Sequence, residues 1–217
     1  MKVDVLQNIL SVNERIAKDN RDLFDKKKIF VINLMASPGA GKTSFVLQMI
    51  DNLKDKFRLA VIEGDVASQV DAEKIKAHGV PSIQINTGGA CHLEANMIKN
   101  ALVHLDLDNI DVLIIENVGN LVCPADFKLG EDMKILILSI PEGDDKPLKY
   151  PLMFAEADVL ILNKIDLLEL SDFDLKKARE ITTNLNADLV TFEVSCKTGQ
   201  GIDEWNNWLV DRIGNSV

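Results

Sequence analysis

The sequence predicts an α/β fold built on a mostly parallel, seven-stranded sheet with helices on both faces. Three observations predict it. Seven short apolar runs recur along the chain, helical stretches fall between them, and several runs are continuously apolar instead of alternating. Strands covered on both faces read this way, and strand–helix alternation implies right-handed crossovers in a parallel sheet. The strands are expected at Ile29–Ala36, Leu59–Asp65, Ser82–Asn86, Asp111–Asn117, Lys134–Ile140, Asp158–Lys164 and Asp188–Ser195. The intervening helices are expected near Thr43–Lys54, Val70–His78, Leu93–Leu105, Asp174–Leu185 and Asp203–Ile213.

The N-terminal stretch from about Asp4 to Asp25 places Leu6, Ile9, Leu10 and Ile16 near helical spacing, and Lys26, Lys27 and Lys28 follow as a basic link. We read residues 1–28 as an amphipathic helix and link belonging to the same domain as residues 29–217, with a partner-binding or dimer-forming helix as the alternative. The chain has 217 residues, of which 47% are hydrophobic and 27% charged, enough for a substantial core. Its formal net charge of -10 repels phosphate backbones, so nucleic acid is not expected as a partner. No apolar run is long enough for a membrane span and the start of the chain lacks a secretory h-region, so a cytoplasmic protein is expected. Three cysteines do not make a disulfide framework, which leaves metal binding, reactivity or packing.

In a parallel sheet, ligands sit at the carboxyl ends of the strands. The first strand ends in Ala36-Ser37-Pro38-Gly39-Ala40-Gly41-Lys42-Thr43-Ser44 and a helix follows. This is the context of a phosphate-binding loop, with Ala36 standing where the strict motif has Gly. Glycines let backbone amides approach phosphate oxygens, and the helix N-terminus adds a favourable dipole. Lys42 is then the partner of the β- and γ-phosphates, and Thr43 offers its hydroxyl to Mg²⁺. Further along, Asn163-Lys164-Ile165-Asp166 ends an apolar strand, and Ser195-Cys196-Lys197 ends the last one. A carboxylate only accepts hydrogen bonds, and guanine offers two adjacent donors on one edge, so Asp166 suits guanine and not adenine. Asn163 is expected to reach the base and brace the loops, the Lys164 stem to cover the ring, and Ser195–Lys197 to form a second wall.

Mg²⁺ takes hard oxygen ligands. Asp65 and Glu116, each ending a strand, are the best-placed carboxylates beside Thr43, and Asp71 is a weaker candidate for positioning the attacking water. Gly119, in Glu116-Asn117-Val118-Gly119-Asn120, occupies the place of a γ-phosphate sensor whose amide meets the nucleotide. No glutamine follows it in a water-orienting position, so slow intrinsic turnover of roughly 10⁻⁴ to 10⁻² s⁻¹ is expected. Cys91 and His92 lie in a loop after the third strand, and Cys123 follows the sensor segment. Thiolate and imidazole suit Zn²⁺ and Ni²⁺ alike, although buried packing explains many free cysteines. One chain supplies three donors, and a two-fold related copy would add more.

The phosphate loop together with NKID and SCK resembles the P-loop GTPases of the metal- and partner-delivery class. The segments TGGACHLEAN, ENVGNLVCPADFKLGE and PEGDDKPLKYP sharpen this to a resemblance to the HypB family of hydrogenase nickel-incorporation GTPases. That resemblance implies a GTPase that binds nickel or zinc, dimerises with GTP, and serves maturation of [NiFe] hydrogenase. It implies metal ligation by Cys91, His92 and Cys123, and it implies the nickel chaperone HypA and the hydrogenase large-subunit precursor as partners. Lys146 and Lys149 are expected to face such a partner. The alternatives are a urease-type nickel-insertion GTPase, whose Cys-Pro-His arrangement is absent here, and a chaperone GTPase of cobalamin enzymes. The cysteine-rich nickel motif and histidine-rich tract found near the start of some HypB proteins have no counterpart before His78 and Cys91.

Overall fold

The structure, a computed structural model, describes residues 5–65 and 70–214; the side chains of residues 5–8, 65 and 70–73 lie outside that description. The chain runs α1 (Val5–Lys27), β1 (Phe30–Ala36), α2 (Lys42–Leu53), β2 (Leu59–Asp65), α3 (Val70–Ala77), β3 (Ser82–Asn86), α4 (Ala95–Leu102), β4 (Val112–Glu116), β5 (Met133–Ser139), α5 (Lys146–Lys149), α6 (Pro151–Glu156), β6 (Val159–Asn163), α7 (Leu175–Leu185), β7 (Val190–Glu193) and α8 (Ile202–Gly214). The seven strands form one sheet in the order β3-β2-β4-β1-β5-β6-β7. Every pair in it is parallel, so the sheet is wholly and not just mostly parallel.

Pleating divides the apolar side chains between two faces. Ile32, Leu34, Val61, Ile114, Ile135 and Ile161 pack with α2 and α8 on one face, where Phe45, Met49 and Trp205 are fully buried. Val31, Ile62, Leu113 and Ile115 pack on the other face with α1 and α4, and Leu136, Leu138 and Leu160 pack there with α6 and α7. This two-sided burial is the reason the strands are continuously apolar. The turn into α8 is held close to β7, since a Cβ on Gly201, at φ +72°, would lie 2.0 Å from Glu193 O.

Helix α1 departs from the expected apolar stripe. Ile9 is exposed, Ile16 is half-buried and the Leu6 side chain lies outside the described residues. The buried stripe is Asn13, Ala17, Asn20 and Phe24, spaced at four, three and four residues. Asn13 Oδ1 accepts from Ala95 N at 2.8 Å and its Nδ2 donates to Lys128 O at 2.8 Å. Asn20 Nδ2 donates to Ala95 O at 2.9 Å and Leu129 O at 3.0 Å. Two carboxamides therefore join α1 to the start of α4 and to the segment before β5. Elsewhere the Pro141–Pro151 stretch is more ordered than a plain loop, since α5 forms within it and α6 begins at Pro151. Glu142 closes a capping box with Ser139 at its start.

Replacing Asn20 by Ala removes a buried donor from both Ala95 O and Leu129 O, and a buried group left unsatisfied costs about 1–3 kcal/mol. The expected outcome for Asn20→Ala is a loss of about 2–3 kcal/mol of stability, read as a lower urea midpoint with an unchanged m-value.

Candidate functional site

Between β1 and α2 the chain turns over Ser37–Gly41, with Gly39 at φ 79° and Gly41 at φ 101°. Those left-handed conformations favour glycine, and at Gly41 the space does too. A Cβ there would lie 2.5 Å from Asn163 Nδ2. Phe45 N donates to Gly41 O at 3.0 Å, which starts α2, and Ala40 is fully buried. Lys42 Nζ reaches back to Ser37 O at 3.4 Å, and the Ser37 hydroxyl donates to Glu142 Oε1. Ser44 is exposed at the start of the helix. The loop borders a cleft of about 470 Å³ lined also by Thr43, Glu63, Glu116 and Gly119.

Neighbouring strand ends supply the carboxylates. Glu63 and Glu116 are register partners on β2 and β4 and are both almost fully buried. They project on the α2 face, because Val61 and Ile114, two residues before each, belong to that core. Thr43 Oγ1 donates to Glu116 Oε1 at 3.0 Å, placing hydroxyl and carboxylate at the mouth of the phosphate loop. Sequence reading named Asp65 and overlooked Glu63, which shares its parity and sits level with Glu116. Asp65 ends β2, but its side chain and that of Asp71 lie outside the described residues. Gly119 lies over the loop: a Cβ on it would be 3.1 Å from Pro38 N and 3.2 Å from Lys42 Nζ.

The segments after β6 and β7 form a second wall. Asn163 is buried, its Nδ2 donates to Ala40 O at 2.9 Å, and its Oδ1 accepts from Lys164 N at 2.8 Å and Cys196 N at 3.4 Å. Its carboxamide is thus engaged in bracing the phosphate loop against Ser195–Lys197, the bracing half of its expected role. Lys164, at φ 61°, sends its Nζ to Gly39 O at 2.7 Å, so its stem lies across the opening. Asp166 Oδ1 accepts from the buried Ser195 hydroxyl at 2.6 Å, and that hydroxyl accepts from Thr198 N at 3.2 Å. Asp166 itself is half-buried and Lys197 exposed. A carboxylate aimed by a buried serine beside a cationic stem can receive the paired donors of a planar base.

The sulfur and imidazole donors lie in the loop after β3 and in the segment after β4. Cys91, His92 and Cys123 present donor atoms within 4.8 Å of one another, so one chain brings all three expected ligands together. Cys91 Sγ is 2.7 Å from Cys123 Sγ and 3.6 Å from His92 Nδ1. The His92 ring rests on Phe127 with centroids 3.9 Å apart, and its buried Nε2, 3.8 Å from Glu94 Oε1, has no hydrogen-bond partner among the described residues. Burial lowers the His92 pKa against the opposing pull of Glu94, which favours the neutral, coordinating imidazole. The hydrogen bond with Cys91, followed by burial, raises the Cys123 thiol, while Asn120 Nδ2, 3.4 Å from Cys123 Sγ, favours its thiolate. Two thiols and a half-buried imidazole fit a borderline-soft divalent ion such as nickel or zinc. Cys91 and the neighbouring Val122 are exposed, so the cluster opens at the surface.

Lys149 and Lys146 are turned to their own surroundings, Lys149 in an ion pair with Asp145 and Lys146 over the Tyr150 ring at 5.7 Å. No described helix is long and apolar enough to cross a membrane.

A family model described as CobW/HypB/UreG, nucleotide-binding domain, matches residues 30–193. The hydrogenase maturation factor HypB of Escherichia coli K12 is 47% identical over 207 residues, covering 95% of this chain and 71% of the relative. That of Azotobacter vinelandii is 50% identical over 211 residues, covering 97% and 70%. A crystal structure of HypB from Helicobacter pylori in complex with nickel superposes with a TM-score of 0.89 at 40% identity, covering 94% of this chain and 95% of that one. A LAO/AO transport system kinase, with a TM-score of 0.56 at 16% identity, shares the fold alone.

The thiols of this site differ in exposure. Burial pushes the Cys196 thiol up to about 11, whereas Cys91 is exposed. At pH 7.5 Cys196 then holds at least about a hundredfold less thiolate than an ordinary thiol. Mass spectrometry after brief iodoacetamide treatment of the folded chain is expected to find Cys91 alkylated and Cys196 spared. Equal labelling of the two would contradict the placement of Cys196 in the wall.

Proposed function

The chain belongs to the HypB family of CobW/HypB/UreG nucleotide-binding proteins, and on that premise we propose that it is a GTP-hydrolysing metallochaperone that carries nickel for assembly of [NiFe] hydrogenase. The observation that carries this reading is the gathering of two thiols and an imidazole within 4.8 Å, one of which, Cys123, follows Gly119 by four residues. A storage protein needs the donors and no phosphate loop; a plain nucleotide switch needs the loop and no donors.

GTP would lie with its phosphates over Ser37, Gly39, Ala40, Gly41, Lys42, Thr43 and Ser44, and its base between Asn163–Asp166 and Ser195–Lys197. Lys42 neutralises phosphate charge, and Thr43 and Glu116 are the oxygen donors that would hold Mg²⁺, with Asp65 as a further ligand and Asp71 near the attacking water. Glu63, buried beside Glu116, adds a carboxylate to the same wall. When bound, Mg²⁺ supplies charge neutralisation as water attacks the γ-phosphorus and GDP and phosphate form. Slow turnover fits the lack of a glutamine in a water-orienting position after Gly119.

The cargo ion, nickel or zinc, is held by Cys91, His92 and Cys123. Three donors leave a coordination position for a second copy of the chain, and the exposed Cys91 and Val122 suit a two-fold contact made when GTP draws Gly119 inward. HypA as nickel donor and the hydrogenase large-subunit precursor as recipient complete the route. A cytoplasmic setting keeps the three free thiols reduced. The N-terminal helix is part of the same domain, supported by the Asn13, Asn20 and Phe24 packing.

Two measurements test the reading. Nickel titration of Cys91→Ala, His92→Ala and Cys123→Ala is expected to show at least about tenfold weaker binding while phosphate release from GTP continues near the parent rate; full nickel affinity in all three would remove the metal assignment. Asp166→Asn keeps an oxygen for Ser195 and reverses half of the edge pattern. Its expected outcome is a preference moved from GTP toward xanthosine triphosphate by about 10² or more, and unchanged GTP affinity would refute the base assignment.

A further inference from the structure

Consecutive residues of a strand point to opposite faces, and at the end of β4 this places two polar side chains on opposite sides of the sheet. Glu116 meets Thr43 on the α2 face. Asn117 continues the ladder through its own N–H to Leu34 O at 2.9 Å and is fully buried on the α1–α4 face. There its Oδ1 accepts from Val118 N at 2.9 Å and from Leu93 N at 3.0 Å. Val118 leads into Gly119, and Leu93 follows His92 directly. A single carboxamide oxygen therefore joins the segment over the phosphate loop to the loop carrying two of the three cargo ligands.

The orientation of this amide is determined from both sides. Backbone N–H groups only donate, so the Asn117 oxygen must face Leu93 and Val118. Its Nδ2 then donates to Asn33 Oδ1 at 3.1 Å, which turns Asn33 Nδ2 to Glu131 Oε1 at 3.2 Å. Glu131 Oε2 accepts from Leu129 N at 2.7 Å and Gly130 N at 3.0 Å, which ends the series. Leu93 is also held by packing: a Cβ on Gly64 would lie 2.7 Å from its Cγ. Gly64 lines the nucleotide cleft. The Cys91–His92 loop thus rests on β2 and β4 at the positions that border the phosphates.

Cys123 is linked to Gly119 by chain continuity, but Cys91 and His92 are on another loop. We propose that Asn117 is the positioning residue through which the nucleotide state reaches Cys91 and His92, so that both ligand arms respond to one movement of Val118–Gly119. The proposal rests on the GTP-dependent cargo reading above. Without the Asn117 oxygen, the Cys123 arm alone would follow the nucleotide.

The test is a linkage cycle. Nickel dissociation constants are measured by thiolate-to-nickel absorption with a non-hydrolysable GTP analogue and with GDP, and their ratio is the coupling, of the order of 5- to 150-fold in typical allosteric proteins. For Asn117→Ala the ratio is expected to fall at least about fivefold, with nickel and nucleotide each still binding on their own. Asn117→Asp retains an acceptor for both amides but loses the donor to Asn33, and is expected to restore part of the ratio. Weaker binding of both ligands with the ratio preserved would overturn the proposal by assigning Asn117 a purely structural role.

A second measurement needs no variant. In the parent chain without nickel, exchange of GDP for the GTP analogue is expected to alter hydrogen-exchange protection of the Leu93 amide along with that of Val118, and a Leu93 amide indifferent to the nucleotide overturns the proposal. A parent chain that binds nickel and hydrolyses GTP with a ratio near one defeats this inference alone. A parent chain that binds neither defeats the proposed function with it.

Discussion

A polar group buried without a partner costs more than most single contacts return, and this sheet collects its buried polar groups at the carboxyl ends of its strands. Glu63, Glu116, Asn117, Asn163 and Ser195 are all nearly or fully enclosed there, while the strand centres are filled with Ile, Leu and Val. Such groups cannot be turned to solvent, so each must be directed at a specific neighbour. Asn163 is directed at Ala40 and Cys196, Ser195 at Asp166, and Thr43 donates to Glu116. The loops at this end are consequently tied to one another through side chains, although each leaves the sheet from a different strand.

That constraint explains the distribution of glycine at the site. Asn163 can reach the phosphate loop because Gly41 has no Cβ, which would otherwise lie 2.5 Å from its amide nitrogen. Gly119 approaches Pro38 and Lys42 on the same terms. Lys164, at φ 61°, takes a left-handed conformation that a non-glycine residue adopts at some cost. Its Nζ contact with Gly39 O and the Asn163 Oδ1 bond to its N–H are the compensation visible at that turn.

The fold was readable in the sequence because two-sided burial leaves an apolar signature in each strand, and the strand-to-helix change at Ser37–Thr43 marks a turn of known chemistry. Strand ends were less readable: β7 is Val190–Glu193, shorter than the expected run, because beyond Val194 the backbone leaves the ladder, Ser195 N donating to Gln200 O at 2.9 Å. Helix α1 was recognised as a helix, but its buried stripe was not. Ala17 and Phe24 belong to an apolar pattern and Asn13 and Asn20 do not, so a hydrophobicity period cannot detect a face whose contacts are carboxamides to backbone. Glu63 was overlooked for a related reason. Its partner in register is Glu116, and register is a property of two strands far apart in sequence. Parity with Asp65 was the one signal available, since the two side chains share a face in any strand.

The donors for a cargo ion illustrate what spacing omits. Cys91 and His92 are adjacent in sequence, and Cys123 follows 32 residues later; nothing in that spacing requires convergence. What brings them together is the sheet order, in which β2 and β4 are neighbours and β3 lies just beyond. The loop after β3 must pass the end of β2 to enter α4, and there Leu93 settles against Gly64 and under Asn117. The segment after β4 leaves from the same place. Convergence of sulfur and imidazole is therefore a consequence of topology together with one missing Cβ and one carboxamide oxygen. Leu93, next to His92, depends on the bare Cα of Gly64 and on the Asn117 oxygen for its place.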